Sequence, residues 1–175
     1  MTAQQSSEAS SNRVRVKVRV IGPTDGDILG AATAVRDRFM IDGQDSGGGV
    51  SLVEHLMPPR ALAAPLHRHS REDEYSFVLE GRVGAHFEGE EVFGTAGDLI
   101  FKPRGEWHTF WNAGDVPARI LEIISPGGFE QAFREMHALG DALDPAAIAA
   151  IAARYGVDVD FERTAPLIER HGLTF

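Results

Sequence analysis

The chain contains no cysteine in its 175 residues. That absence excludes disulfides, a thiolate nucleophile and a zinc-thiolate cluster, so imidazole and carboxylate must hold any transition metal. Positive charge is also scarce: 17 Lys and Arg against 26 Asp and Glu give a formal net charge of -9. A surface of that sign repels phosphate backbones and anionic headgroups, so no nucleic acid and no membrane is expected as a partner; a small molecule or another protein is. Long apolar runs are missing too. Nothing approaches a membrane span, and "MTAQQSSEASSN" lacks the apolar core of a signal peptide, which makes a cytoplasmic protein the expectation. Residues 1–12 read as a disordered tail, too polar to offset the entropy of ordering.

The apolar content, 43%, suffices for one sizeable core, and the length suits one domain. "RVRVKVRVI", residues 13–21, alternates Val14, Val16, Val18 and Val20 with Arg13, Arg15, Lys17 and Arg19. Period two predicts a half-buried strand with a solvated basic face. From Asp27 to Ser125 follow "RDRFMI", "GVSLVEHLM", "YSFVLEG", "RVGAHFEG", "DLIFKP", "HTFWN" and "ARILEII", separated by Gly, Pro, Asn and Asp clusters. Short strands at such spacing predict an all-β antiparallel sandwich or barrel over residues 13–125. Past Pro126 the period changes. Phe129, Ala132, Phe133 and Met136 form a helical stripe, and "DPAAIAAIAARYG" opens with Asp144 as N-cap and closes at Gly156. A third helix is expected over "APLIERHG". Residues 126–175 are therefore read as a helical segment packed on the barrel, since short helices could not bury their stripes alone.

His67 and His69 stand at i and i+2 within "PLHRHSREDEY". In an extended segment both rings would project to one side with Cα atoms roughly 7 Å apart, close enough to converge on one ion. The pair alone is weak evidence. After four intervening residues comes Glu74, and after six more Gly81; Gly97, Pro103, Gly105, His108 and Asn112 recur within "GDLIFKPRGEWHTFWN". These spacings, over residues 67–81 and 97–112, resemble both sequence motifs of the cupin family. With a spacer of three or four, Asp73 and Glu74 both fit the acid position, but only Glu74 stands correctly before Gly81. One motif position departs: the family's first glycine is Ala61 here, which puts the local turn in doubt but no ligand.

The resemblance implies a double-stranded β-helix, or jelly-roll barrel, with short C-terminal helices, and His67, His69, Glu74 and His108 as metal ligands. Three imidazoles and a carboxylate suit one divalent transition metal (Fe, Mn, Ni, Co, Zn or Cu) and leave positions open. Strand alternation places Ser76 and Val78 on the face of Glu74, and Phe110 and Asn112 on that of His108; these four are expected to line a substrate pocket. Trp107, Thr109 and Trp111 should face away, and His55, His86, His137 and His171 lack ligand spacing. The chain further resembles small bacterial cupins similar to quercetin 2,3-dioxygenase. That implies an oxygenase in which Glu74, as ligand and base, takes the proton of an enolic or aromatic hydroxyl and the metal stabilises the anion. Two alternatives keep the barrel: a metal-dependent isomerase or polyketide-type cyclase, and a cupin that binds a small molecule without turnover. A homodimer paired through the Val/basic strand is expected.

Overall fold

A computed structural model describes residues 18–175. Ten strands fill the first part of it: β1 (Asp27–Leu29), β2 (Arg36–Ile41), β3 (Ser51–Met57), β4 (Leu66–His69), β5 (Asp73–Glu80), β6 (Arg82–Phe87), β7 (Glu90–Thr95), β8 (Leu99–Lys102), β9 (His108–Asn112) and β10 (Ala118–Ser125). Then come α1 (Glu130–Leu139), α2 (Pro145–Arg154), β11 (Val157–Asp160) and α3 (Phe161–His171). One sheet runs β1-β2-β3-β10-β5-β8 and the other β11-β4-β9-β6-β7, with every ladder antiparallel. The two face each other as the expected jelly-roll barrel.

Alternation explains which side chains fill it. On β10, Ala118, Ile120, Glu122 and Ile124 are buried while Arg119, Leu121 and Ile123 point outward. The interior core joins Ile120 to Met57, Val78, Val83, Ile100 and Phe110. On β9 both faces are covered: Trp111 is fully buried against Leu62, Ala113 and Leu173 on the side away from the lumen. Gly84 lies under its indole, where a Cβ would run into the ring. Trp107 sits between the guanidinium groups of Arg68 and Arg163, 5.0 and 5.2 Å from its ring centre.

The C-terminal segment packs Phe129, Ala132, Ile151 and Ala152 against Ile124, with Phe133 and Met136 beside them. Asp144 caps α2 by accepting the Ala147 amide at 2.7 Å. The segment is not wholly helical, however. β11 pairs along all of β4, Val157 opposite His69 and Val159 opposite His67, so the tail completes a barrel sheet.

The N-terminal expectation needs correction. Residues 1–17, with the tail and most of the predicted strand, lie outside the described residues. Residues 18–21 join no ladder: Val18 and Val20 are exposed, and Arg19 binds Asp45 at 2.7 Å. The alternation there has no neighbouring strand to satisfy it. At the departing motif position, the left-handed residue is Arg60 (φ 58°), held to Asp115 at 2.6 and 2.9 Å, and Ala61 is an ordinary buried residue. Gly81 does need its glycine: φ is 80°, and a Cβ would lie 2.8 Å from that of Ala118.

Candidate metal centre

The cluster is assembled across both sheets. β4 turns His67 and His69 inward, His108 on β9 stands opposite His67 in the ladder, and Glu74 reaches across from β5. All four are buried, and one donor atom of each lies within 4.8 Å of the others. His67 and His108 have ring centres 4.3 Å apart, His67 and His69 5.0 Å. The loop of the second motif is tied in by the Gly105 amide, which donates to the His69 carbonyl at 2.8 Å.

Each imidazole is aimed by its second nitrogen. His67 Nδ1 lies 2.8 Å from the Pro65 carbonyl and His108 Nδ1 3.1 Å from that of Glu106. A carbonyl only accepts, so Nδ1 donates in both rings; that leaves the lone pair of His67 Nε2 facing inward, while His108 Nε2 lies 3.2 Å from Glu74 Oε2. His69 Nδ1 meets the buried Glu72 carboxylate at 3.2 Å. This is the carboxylate–histidine arrangement that orients metal ligands. His69 Nε2 is buried with no hydrogen-bond partner, and it stands 3.4 Å from Glu74 Oε1.

Electrostatics favours the ligating forms. Burial, reinforced by the neighbouring imidazoles, pushes the pKa of His67 well below its usual value; burial also lowers that of His108. Burial alone would raise the pKa of Glu74, but Lys102 and the histidines outweigh it and keep the carboxylate ionised. Neutral imidazoles and an anionic carboxylate are the states a metal requires. The orphaned His69 nitrogen and the converging donors fit a divalent transition metal; His67, His69, Glu74 and His108 would hold it.

Lys102 and Glu122 join the site although no motif spacing marks them. Lys102 is fully buried, with Nζ 3.0 Å from Glu74 Oε2, 2.9 Å from Glu122 Oε2 and 4.0 Å from the Phe110 ring centre. Ser76 donates to Glu122 Oε2 at 2.7 Å. The signal was present: each stands on the inward face of an alternating strand, where a charge interrupts an apolar row.

The expected pocket residues fall into different environments. Val78 and Phe110 share the interior core, and the Ser76 hydroxyl serves Glu122. Asn112 is not free to meet a substrate: its amide donates to the carbonyls of Met57, Pro58 and Val116 and accepts from the Gly114 amide, pinning the turn after β9. Asp73 is bound by Arg104 at the surface. His55, His86, His137 and His171 lie outside the cluster. A groove of about 830 Å³ opens between β7 and β8, lined among others by Phe87, Phe93, Ile100 and Phe101. Of its lining residues Phe87 comes near the cluster, its ring 6.1 Å from that of His108, while none of the four candidate ligands lines the groove.

Residues 53–124 match the family model described as "Cupin domain". The barrel that these residues build is a cupin domain, in keeping with its motifs, its two sheets and its ligand cluster. It is 38% identical over 89 residues to the tetracenomycin polyketide synthase protein TcmJ of Streptomyces glaucescens, covering 51% of this chain. It is 34% identical over 73 residues to an oxalate-binding protein of Thermotoga maritima, covering 42%. In both cases the match spans 60% of the relative's own length. Among solved structures, the polyketide cyclase RemF of Streptomyces resistomycificus is similar at 27% identity and a TM-score of 0.53, over 62% of this chain and 80% of that one.

Proposed function

We propose that this chain is a metal-dependent enzyme that draws a proton from an enolisable, hydroxylated aromatic or polyketide-type substrate and closes or rearranges a ring without consuming oxygen. The observation that carries the reading is the buried His67, His69, Glu74 and His108 set with an aromatic-walled groove of about 830 Å³ nearby, whose lining residue Phe87 has its ring 6.1 Å from that of His108. The groove's size suits a fused-ring or flavonoid-sized molecule, and its walls reward flat apolar surface. The likeness to TcmJ and RemF supports a polyketide-type substrate.

When bound, the metal supplies positive charge that stabilises an enolate or phenolate oxygen. The residues do the rest. Phe87 and Phe110 flank the centre with apolar surface, excluding water and strengthening nearby fields. Lys102 holds Glu74 ionised and fixes its Oε2; because the same charge weakens Glu74 as a base, that contact would have to loosen for the carboxylate to accept the substrate's proton.

A second reading, a quercetinase-like dioxygenase, rests on the same ligand set, which also accepts redox-active metals. Oxygen decides between them. Purified chain loaded in turn with Zn, Mn, Fe, Co, Ni and Cu is incubated with flavonols and with linear poly-β-ketone mimics, aerobically and anaerobically. Anaerobic turnover, including with zinc, supports ring closure. Turnover only with oxygen uptake would transfer the assignment to the dioxygenase, and ligand recovered unchanged under every condition would sink both.

A further inference from the structure

The barrel contains a second polar cluster that the metal site does not use. His55 on β3 and Glu122 on β10 both point inward, on adjacent hydrogen-bonded strands and one register step apart: Ile120 pairs with His55, and Glu122 with Val53. Both are buried, His55 at 4% and Glu122 at 0% relative exposure. Each is half satisfied. His55 Nδ1 is bound to Asp37 Oδ1 at 2.6 Å, while its Nε2 has no partner. Glu122 Oε2 receives Lys102 and Ser76, while its Oε1 has none. Leaving two such atoms unpaired in a dry interior destabilises the fold, because each has given up its water without a replacement. A core built for stability alone would not retain both.

We infer that His55 Nε2 and Glu122 Oε1 form a recess for one hydroxyl group of a ring-shaped ligand, apart from the metal ligands. The two atoms are complementary to that group. An N–H at Nε2 donates to the hydroxyl oxygen, and the hydroxyl donates its proton to the carboxylate. The groups surrounding His55 suit the donor form: Asp37 from β2 and Glu122 from β10 carry negative charge, and Lys102 from β8 opposes them. Burial works against the imidazolium, but Asp37 and then Glu122 prevail and its pKa is raised. Asp37 is itself fixed from α1, where His137 Nε2 meets its Oδ2 at 2.8 Å, so His55 cannot swing away. Phe110, whose ring centre lies 5.7 Å from that of His55, supplies an apolar face for the ring that bears the hydroxyl. Ile100, which lines the groove, packs in the same core as Phe110.

The inference rests on the aromatic-substrate reading, but its test reads a different nitrogen and needs no turnover. Full chain labelled with ¹⁵N in its histidine rings is titrated with phenol and with toluene, as purified and again with zinc. His55→Gln identifies the His55 resonance by deleting it. Phenol should shift His55 Nε2 saturably and toluene should not; Glu122→Gln should weaken phenol binding at least tenfold and leave toluene unchanged. His55→Gln, followed calorimetrically, should reproduce that selective loss and serves if the Glu122 variant does not fold. The inference is overturned if phenol at its solubility limit leaves His55 Nε2 unmoved, if toluene moves it equally, or if neither variant discriminates the two probes. Absence of turnover with an intact His55 response would count against the proposed reaction alone.

Discussion

Replacing Lys102 by methionine would leave Glu74 and Glu122 as two carboxylates in a dry interior with no cation between them. Breaking a buried pair by removing one partner costs about 3–5 kcal/mol, because the remaining charge is uncompensated. Lys102→Met should therefore lower the urea midpoint by that equivalent in metal-free protein, and a variant as stable as the parent would show the carboxylates to be paired otherwise. The titration of the site has a definite sign. The pKa of Glu74 is depressed, so its contribution to stability is present above its ordinary value of 4.5 and lost as pH falls through the folded value. His67 and His108 act in the same direction: below 6.5 the unfolded chain takes up protons that the buried rings refuse. His55 runs the other way, stabilising below 6.5 and losing that contribution as pH rises through its raised pKa. His86, lowered by burial as well, makes it three rings against one, so the metal-free melting temperature should fall as pH is lowered from 7.5 to 5, and a flat or rising profile in a chelated sample would contradict it. Spacing made the four candidate ligands legible because a motif is a distance along the chain. Lys102 and Glu122 were not, because their partnership crosses three strands and appears in sequence only as two charges in apolar rows.

At the scale of elements, the bond that most directly couples the tail to the site runs between α3 and β4. Thr164 Oγ1, buried, accepts the Leu66 amide at 2.9 Å at the start of the strand that carries His67 and His69. Thr164→Ala would strand that N–H in the interior, at a cost of about 1–3 kcal/mol. Thermal denaturation should show the loss, and competition with a chromophoric chelator should show weaker metal binding because β4 is less firmly placed. Unchanged affinity would mean that β9 alone fixes the ligands. Most strands could be read from alternation, and Phe129, Ala132, Phe133 and Met136 announced the helical stripe. β11 could not: "VDVD" is four residues long, and the strand that gives it a reason to extend lies some ninety positions earlier. β7 was hidden likewise, since Glu90–Thr95 falls in the gap between the expected strands "RVGAHFEG" and "DLIFKP". Residues 18–21 are the converse case: they end an alternating run yet join no ladder among the described residues.

For the whole molecule, the outer face of the six-stranded sheet is the surface least suited to water. Phe77 and Leu79 on β5 are 37% and 39% exposed, and Leu99 and Phe101 beside them on β8 are 56% and 50% exposed. Contiguous apolar surface of this kind marks an association site, and it predicts a dimer in solution. Multi-angle light scattering should give twice the chain mass for the parent and a single mass for Phe77→Glu/Leu79→Glu. A parent that runs as a monomer at high concentration would remove the prediction. The pairing of β11 with β4 has a consequence of its own in time. A ribosome delivers His67, His69, Glu74 and His108 long before it delivers residues 157–160, and until then the ligand strand β4 has only a single ladder position on β9 to rest against. Because domains settle as their chain emerges, the barrel's last sheet neighbour closes only at the end of synthesis. The metal centre is thus a late-maturing part of the fold, and truncated chains that carry every ligand would still be poor at keeping an ion.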